Sequence, residues 1–337
     1  VEFTTRLETA CMATLFLGTP VRILMRFARF KADNFSLLEK EISKIDWELY
    51  LSQGQIPEIR VTTHKSRLYH SDAVADRCRP IIASRLGNAA LDANPDRNQT
   101  LMVRADSDRF ELSLDMAGTP LFKRGIKQKV IQAPLRENLA FAILSRMKFS
   151  AKDILVDPMC GSGTFSLEAA MIQAGLPPGF FRGFAFEAWP GFREKTFARA
   201  KNQISQTAGD TIPAVSIYAS DLDTTAVEDL YNTCTAHPAF ARISSQAKDF
   251  FDLTPPETRP GAIVLNPPYG FRLGTDLDMD KFFMEIGNKL KKDFKGWRIG
   301  IIYPENRMAR ALNLPLDPMP LFHGGLDLQV GLGKIRE

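Results

Sequence analysis

The run Asp157-Pro158-Met159-Cys160-Gly161-Ser162-Gly163-Thr164 places an acid, two glycines and two hydroxyls side by side. The strand-like stretch Ile154-Leu155-Val156 precedes it and the helix-like stretch Phe165–Ile172 follows. Strand, acidic tip, glycine turn and helix form the layout of a nucleotide-type cofactor site in a doubly wound α/β sheet. Gly161 and Gly163 allow a tight turn and a close approach of ligand to backbone. Cys160 sits as a small residue within the turn, beside the ligand, and Thr164 opens a helix whose free N–H groups face the same place. The pattern lacks the third glycine of a dinucleotide fingerprint and the Gly-Lys-Ser/Thr of a phosphate loop.

A second run, Asn266-Pro267-Pro268-Tyr269, ends the apolar stretch Ala262-Ile263-Val264-Leu265. Its prolines stiffen the backbone and remove two donors. The Asn266 side-chain oxygen and the Pro267 carbonyl can then accept both hydrogens of one NH₂ group, aiming the nitrogen lone pair outward, and Tyr269 offers a flat face to a base taken out of its stack. Between the two runs, Asp221 ends Tyr218-Ala219-Ser220 and can accept from the hydroxyls of a ribose, while Asp223 reads as the cap of the next helix. Asp249 is placed to accept from an adenine amino group, with Phe250 against the ring.

The elements that must position these residues alternate from Pro134 onward. Helices are expected over 135–147, 164–173, 224–235 and 282–290, and strands over 154–156, 215–219, 263–265 and 298–303. Such alternation implies parallel strands with right-handed crossovers, and 320–330 reads as a closing hairpin. Residues 1–115 form a separate α+β pattern: strands over 21–27 and 59–63, helices over 35–42 and 71–86, and a hairpin over 101–115. Residues 116–135, polar and basic with Gly118, Pro120, Gly125 and Pro134, read as the connection to a second domain over 136–337.

A hydrophobic content of 45% with 24% charged residues is that of a soluble globular protein, and no apolar run is long enough for a membrane span. Four scattered cysteines and four histidines give no metal-ligand spacing, so no metal is expected and a reducing cytoplasmic setting is. The opening at Val1-Glu2-Phe3, without an initiator Met or a leader, reads as a shortened N terminus. Net charge is +4, yet residues 121–150 alone carry seven basic residues against Glu137. As a charge run this is either a solvated linker and helix face or a phosphate contact.

The Asp157–Thr164 and Asn266–Gly270 runs together resemble the guanine-N2 RNA methyltransferases that are joined to a THUMP domain. Leu121–Gly125 with Ala133–Glu137 resembles the entry to their catalytic domain, and Ile45-Asp46-Trp47 with Ser66–His70 their THUMP half. The resemblance implies a Rossmann-like class I methyltransferase domain, with a mostly parallel seven-stranded sheet and a C-terminal antiparallel hairpin, after a smaller α+β THUMP-type domain. It implies S-adenosyl-L-methionine as cofactor, held also by Pro134 and Leu135, and RNA as substrate, met by Lys123, Arg124, Lys127 and Lys129. Asp157 and Asp221 are farther apart than one helix crossover requires, and the extra segment, 175–189, resembles the 23S rRNA subfamily rather than the tRNA one. Single-stranded or loop RNA is the expected target, since a duplex hides the guanine amino group. DNA and protein amino-methyltransferases share the Asn-Pro-Pro-Tyr run, and a non-catalytic RNA-binding assembly factor is the alternative outside enzymes.

Overall fold

The computed structural model describes all residues except 88–94, 128–134, 208–213, 257–258, 269–277 and 337. It divides into two compact units. The first comprises 1–123 and 179–201, the second 124–178 and 202–337. Among the described residues no helix is long and apolar enough to cross a membrane.

The first unit contains α1 (Leu7–Phe16), β1 (Leu24–Lys31), α2 (Phe35–Ser43), β2 (Glu58–His64), α3 (Ser71–Leu86), β3 (Thr100–Asp106) and β4 (Arg109–Asp115). The sheet order is β1-β4-β3-β2, with β2 and β3 parallel and the other pairs antiparallel. Ser107 and Asp108 join β3 to β4 with φ of 52° and 62°, as a two-residue hairpin turn demands. Period-two burial puts Leu101, Val103 and Ala105 of β3 and Phe110, Leu112 and Leu114 of β4 in the core. Asn34 caps α2 through Leu37 N–H at 2.9 Å.

Segment 179–201, the returning piece, lies in sequence between the two stretches of the second unit. It brings buried Phe184, Phe186, Trp189 and Phe197 to the first unit, and Trp189 Nε1 donates to Gln99 Oε1 at 2.7 Å. Its Arg182 is 4% exposed. The guanidinium donates to the carbonyls of Ala117 (2.8 Å), Thr119 (2.8 Å), Pro120 (2.7 Å) and Lys123 (3.1 Å). Residues 116–123, the expected start of a solvated connection, are therefore packed in the first unit, with Met116, Ala117 and Leu121 buried. The reason is a hydrogen-bonding side chain from outside the segment, which its polar composition does not reveal.

The second unit contains α4 (Glu137–Arg146), β5 (Leu155–Asp157), α5 (Thr164–Ala174), β6 (Ile217–Asp221), α7 (Thr224–Thr235), β7 (Ile243–Ala247), β8 (Ala262–Leu265), α8 (Met279–Asp293), β9 (Arg298–Tyr303), α9 (Asn306–Leu312), β10 (Leu316–His323) and β11 (Leu326–Lys334). The chain enters it from the first unit within α6 (Glu194–Thr207). Seven strands run in the order β10-β11-β9-β8-β5-β6-β7. β9, β8, β5, β6 and β7 are parallel, and β11 is antiparallel to both neighbours. This is the expected mostly parallel Rossmann-like sheet with its antiparallel closing hairpin. All four residues of β8 are buried, as for a strand covered on both faces. The chain runs from β5 outward through β6 to β7 and then crosses back to β8 on the other side of β5, so the ends of β5 and β8 frame the place where such sheets bind ligands.

Arg182→Ala removes a buried cation together with the partners of at least four carbonyls, so it should lower unfolding free energy by about 3–5 kcal/mol. Urea denaturation followed by tryptophan emission reads this out, Trp47 and Trp189 both lying in the first unit.

Candidate active site

β5 ends on Asp157, which is 1% exposed. Asp157 Oδ2 accepts from Ser166 Oγ at 2.7 Å, while Oδ1 is buried with no hydrogen-bond partner among the described residues. Burial, with the charge of Asp221 adding to it, pushes the carboxyl up from 3.8 to about 7. Beyond it the chain turns through Gly161 (φ 49°) and Gly163 (φ 74°) into α5. Both values favour glycine, but only at Gly163 is there also no room. A Cβ there would sit 2.4 Å from Leu230 Cδ1, whereas one at Gly161 would enter open space.

Asp221, at the end of β6, closes this turn. Its Oδ2 accepts from Gly161 N–H at 2.7 Å and its Oδ1 from Asp223 N–H at 3.0 Å. Each oxygen keeps a second lone pair, and Asp221 borders the adjoining cavity. Asp223 caps α7 through Thr225 and Ala226 N–H at 2.9 and 3.2 Å, as its place in the sequence implies.

The cavity encloses about 470 Å³ between the glycine loop, the ends of β6 and β7, and Asn266 at the end of β8. Leu135, Cys160, Gly161, Thr164 and Asp249 line it, as does Asn266. Asn266 borders the cavity, and its Oδ1 is buried and unpartnered among the described residues. Pro267 is buried behind it and Pro268 borders the cavity. Cys160 is 8% exposed, and burial pushes its thiol well up, so it is wall rather than nucleophile. Tyr269, Pro134 and Lys129 lie outside the described residues.

Two expectations need revision. Arg124 is not a surface phosphate ligand: at 2% exposure it donates through Nε to Glu168 Oε1 at 2.9 Å, beneath α5. Lys127 also turns inward, its Nζ donating to Ser162 Oγ at 2.9 Å and Thr164 Oγ1 at 2.6 Å. Of the four cations, Lys123 is exposed. Phe250 borders the cavity but is 2% exposed, its ring packed in the sheet core near Phe294. Its neighbour Phe251, partly buried against Phe282, is the more open aromatic, and Leu222, 71% exposed, adds an apolar wall. Asp249 also caps its own turn through Phe251 N–H at 2.9 Å. Leu222 directly follows Asp221, a neighbourhood that could have marked it.

Residues 124–317 match the family model described as RMKL-like, methyltransferase domain. A Synechocystis protein named provisionally as an RNA methyltransferase is 31% identical over 90% of this chain and 80% of its own length. The ribosomal RNA large subunit methyltransferase K/L of Methylococcus capsulatus is 29% identical over 99% of this chain, which spans 47% of that longer protein. Among solved structures, SMU.472, described provisionally as a methyltransferase and complexed with S-adenosylhomocysteine, superposes with a TM-score of 0.84 at 26% identity, covering 98% of this chain and 89% of that one.

The raised Asp157 carboxyl carries a sign. The native protein holds an extra proton between the ordinary and raised values, so this contribution is complete at low pH and is lost as pH rises through about 7. Asp157→Asn should abolish that loss, leaving the ligand-free variant about 2–3 kcal/mol better off relative to wild type at about pH 8 than at about pH 5. Urea titrations at the two pH values measure it. Gly163→Ala should cost about 2 kcal/mol or more and Gly161→Ala about 1 kcal/mol in the same titration, with cofactor affinity falling in both.

Proposed function

The chain belongs to the RMKL-like methyltransferase family, and from that membership we propose that it transfers a methyl group from S-adenosyl-L-methionine to the exocyclic N2 of a guanine in RNA, with 23S rRNA as the substrate. The observation that carries the reading is the unpartnered Asn266 Oδ1, held at the end of β8 on the border of the cavity that the glycine loop also lines. An NH₂ group entering the cavity satisfies this acceptor.

The residues present fit the cofactor. Asp221 borders the cavity and retains lone pairs for ribose hydroxyls, and Leu222 and Phe251 give apolar walls for an adenine. When bound, S-adenosylmethionine supplies an electrophilic methyl on a sulfonium. Asn266 Oδ1 and the Pro267 carbonyl hold the two N–H groups of the substrate amine, and buried Pro267 keeps that strand end rigid. Orientation of the nitrogen lone pair is worth several kcal/mol of barrier, on the order of 10²–10⁴ in rate, without a strong base. Walls contributed by Leu135, Leu222 and Phe251 exclude water from the reacting groups.

The K/L relatives support ribosomal RNA over tRNA, DNA or protein as the amine source, and this chain spans about half their length, so the proposal concerns the catalytic site present here. The first unit is read as the THUMP-type module that holds the RNA, with exposed Lys123 in that unit available for phosphate.

Asn266→Ala should leave the dissociation constant for S-adenosylhomocysteine within about threefold of wild type while lowering kcat by about 10²–10⁴. Tritiated methyl transfer to 23S rRNA, tRNA and duplex DNA, with nucleoside mass spectrometry of the product, reads both the loss and the modified base. Near-normal turnover by the variant, or a product other than N2-methylguanosine, would refute the assignment.

A further inference from the structure

Lys127 is the one cation of the basic run whose described contacts are all with the glycine loop and the first residue of α5. Its Nζ lies 2.9 Å from Ser162 Oγ and 2.6 Å from Thr164 Oγ1. An ammonium group has protons to give and no lone pair to receive them, so both hydroxyls accept from Lys127. Each hydroxyl proton must therefore point away from the lysine. Among the described residues, neither finds an acceptor in the protein, and both side chains line the cavity. Two hydroxyls that border the cavity thus keep protons to donate, beside the N-terminal end of an eleven-residue helix and with the lysine Nζ next to them.

That arrangement wants an anion. The helix dipole favours negative charge there, and the ammonium strengthens both hydroxyl donors by polarising them. Burial lowers the affinity of Lys127 for its proton, while the carboxylates of Glu137, Glu168 and Asp157 around it work to keep the proton in place. Arg124 already pairs with Glu168, so the lysine is not needed to neutralise that carboxylate.

We propose that Lys127 is a positioning residue for the cofactor: it fixes Ser162 and Thr164 as hydrogen-bond donors to the carboxylate of the cofactor's amino-acid end, so that the site selects an α-amino acid over the corresponding amine. This rests on the reading that the cavity takes S-adenosylmethionine. The basic residue that the linear charge pattern assigns to RNA then belongs to cofactor selection, and RNA binding should not depend on it.

Calorimetry with S-adenosylhomocysteine and with its decarboxylated analogue, on the full chain, tests this. Wild type should prefer the carboxylate-bearing ligand by about tenfold or more, the range of a charge-assisted hydrogen bond. Lys127→Met should weaken S-adenosylhomocysteine by about that factor and leave the analogue within twofold, erasing the preference. The pair Ser162→Ala with Thr164→Val, which removes both hydroxyls while leaving the lysine in place, should erase it too. The proposal is overturned if Lys127→Met weakens both ligands alike, as a purely structural lysine would, or if it leaves the preference intact. Should Lys127→Met fail to fold, the hydroxyl pair alone decides: retention of the preference sinks the idea. Wild type binding neither ligand would instead remove the cofactor reading on which the proposal stands, whereas wild type binding both equally would defeat the proposal and spare that reading.

Discussion

The site depends on a carboxylate that holds two strand ends in one arrangement. Asp221 takes the N–H of Gly161 with one oxygen and the N–H of Asp223 with the other. Bonds of this kind are each worth about 1.5–3 kcal/mol. The first joins the loop after β5 to the end of β6, the second holds the carboxylate in place, and Cys160 N–H reinforces the link by donating to Ser220 O at 3.0 Å. The turn so fixed gives α5 its starting direction and seals Asp157 below it. Gly163 passes so close to the Leu230 side chain of α7 that a Cβ there would force that side chain to move.

Charge is layered beneath the loop. Asp157, Lys127, Glu168 and Arg124 stand in a region where solvation is poor, and the Arg124–Glu168 pair is 2% exposed on both sides. Replacing an ion pair of this type with apolar groups is often neutral for stability, so stability alone does not explain it. Its effect is geometric. With Glu168 engaged by Arg124, Lys127 is left to serve the two loop hydroxyls, and Asp157 keeps one oxygen unpartnered among the described residues. The pocket side of this stack retains unmet hydrogen-bonding capacity, as a site built to receive a polar ligand requires.

Much of this was legible in the chain. Helix α7 and strand β9 have the bounds that periodicity gives, because their apolar positions repeat cleanly and Asp223 marks a start. The glycine loop and the Asn-Pro-Pro run fall on the cavity because local spacing fixes where a strand ends. Strand β7 escaped notice: Ile243-Ser-Ser-Gln-Ala buries only Ile243, and an edge strand needs little apolar alternation. Arg124 and Lys127 were misread because a run of cations does not tell which ones turn inward. That choice is made by Glu168, 44 positions beyond Arg124. Phe250 and Phe251 both border the cavity, and which of the adjacent rings is the more open depends on a backbone turn that composition does not encode.

The returning segment has a consequence in time as well as space. The first unit draws Phe184, Phe186 and Trp189 from beyond the stretch that contributes β5 and α5 to the second. A nascent chain therefore cannot complete its leading module when residue 123 leaves the ribosome, and must wait through synthesis of the next module's opening strand and helix. Folding that ordinarily proceeds module by module from the N terminus is here interleaved. The two parts are consequently poor candidates for exchange by simple gene fusion, because no single cut in the reading frame delivers either one whole.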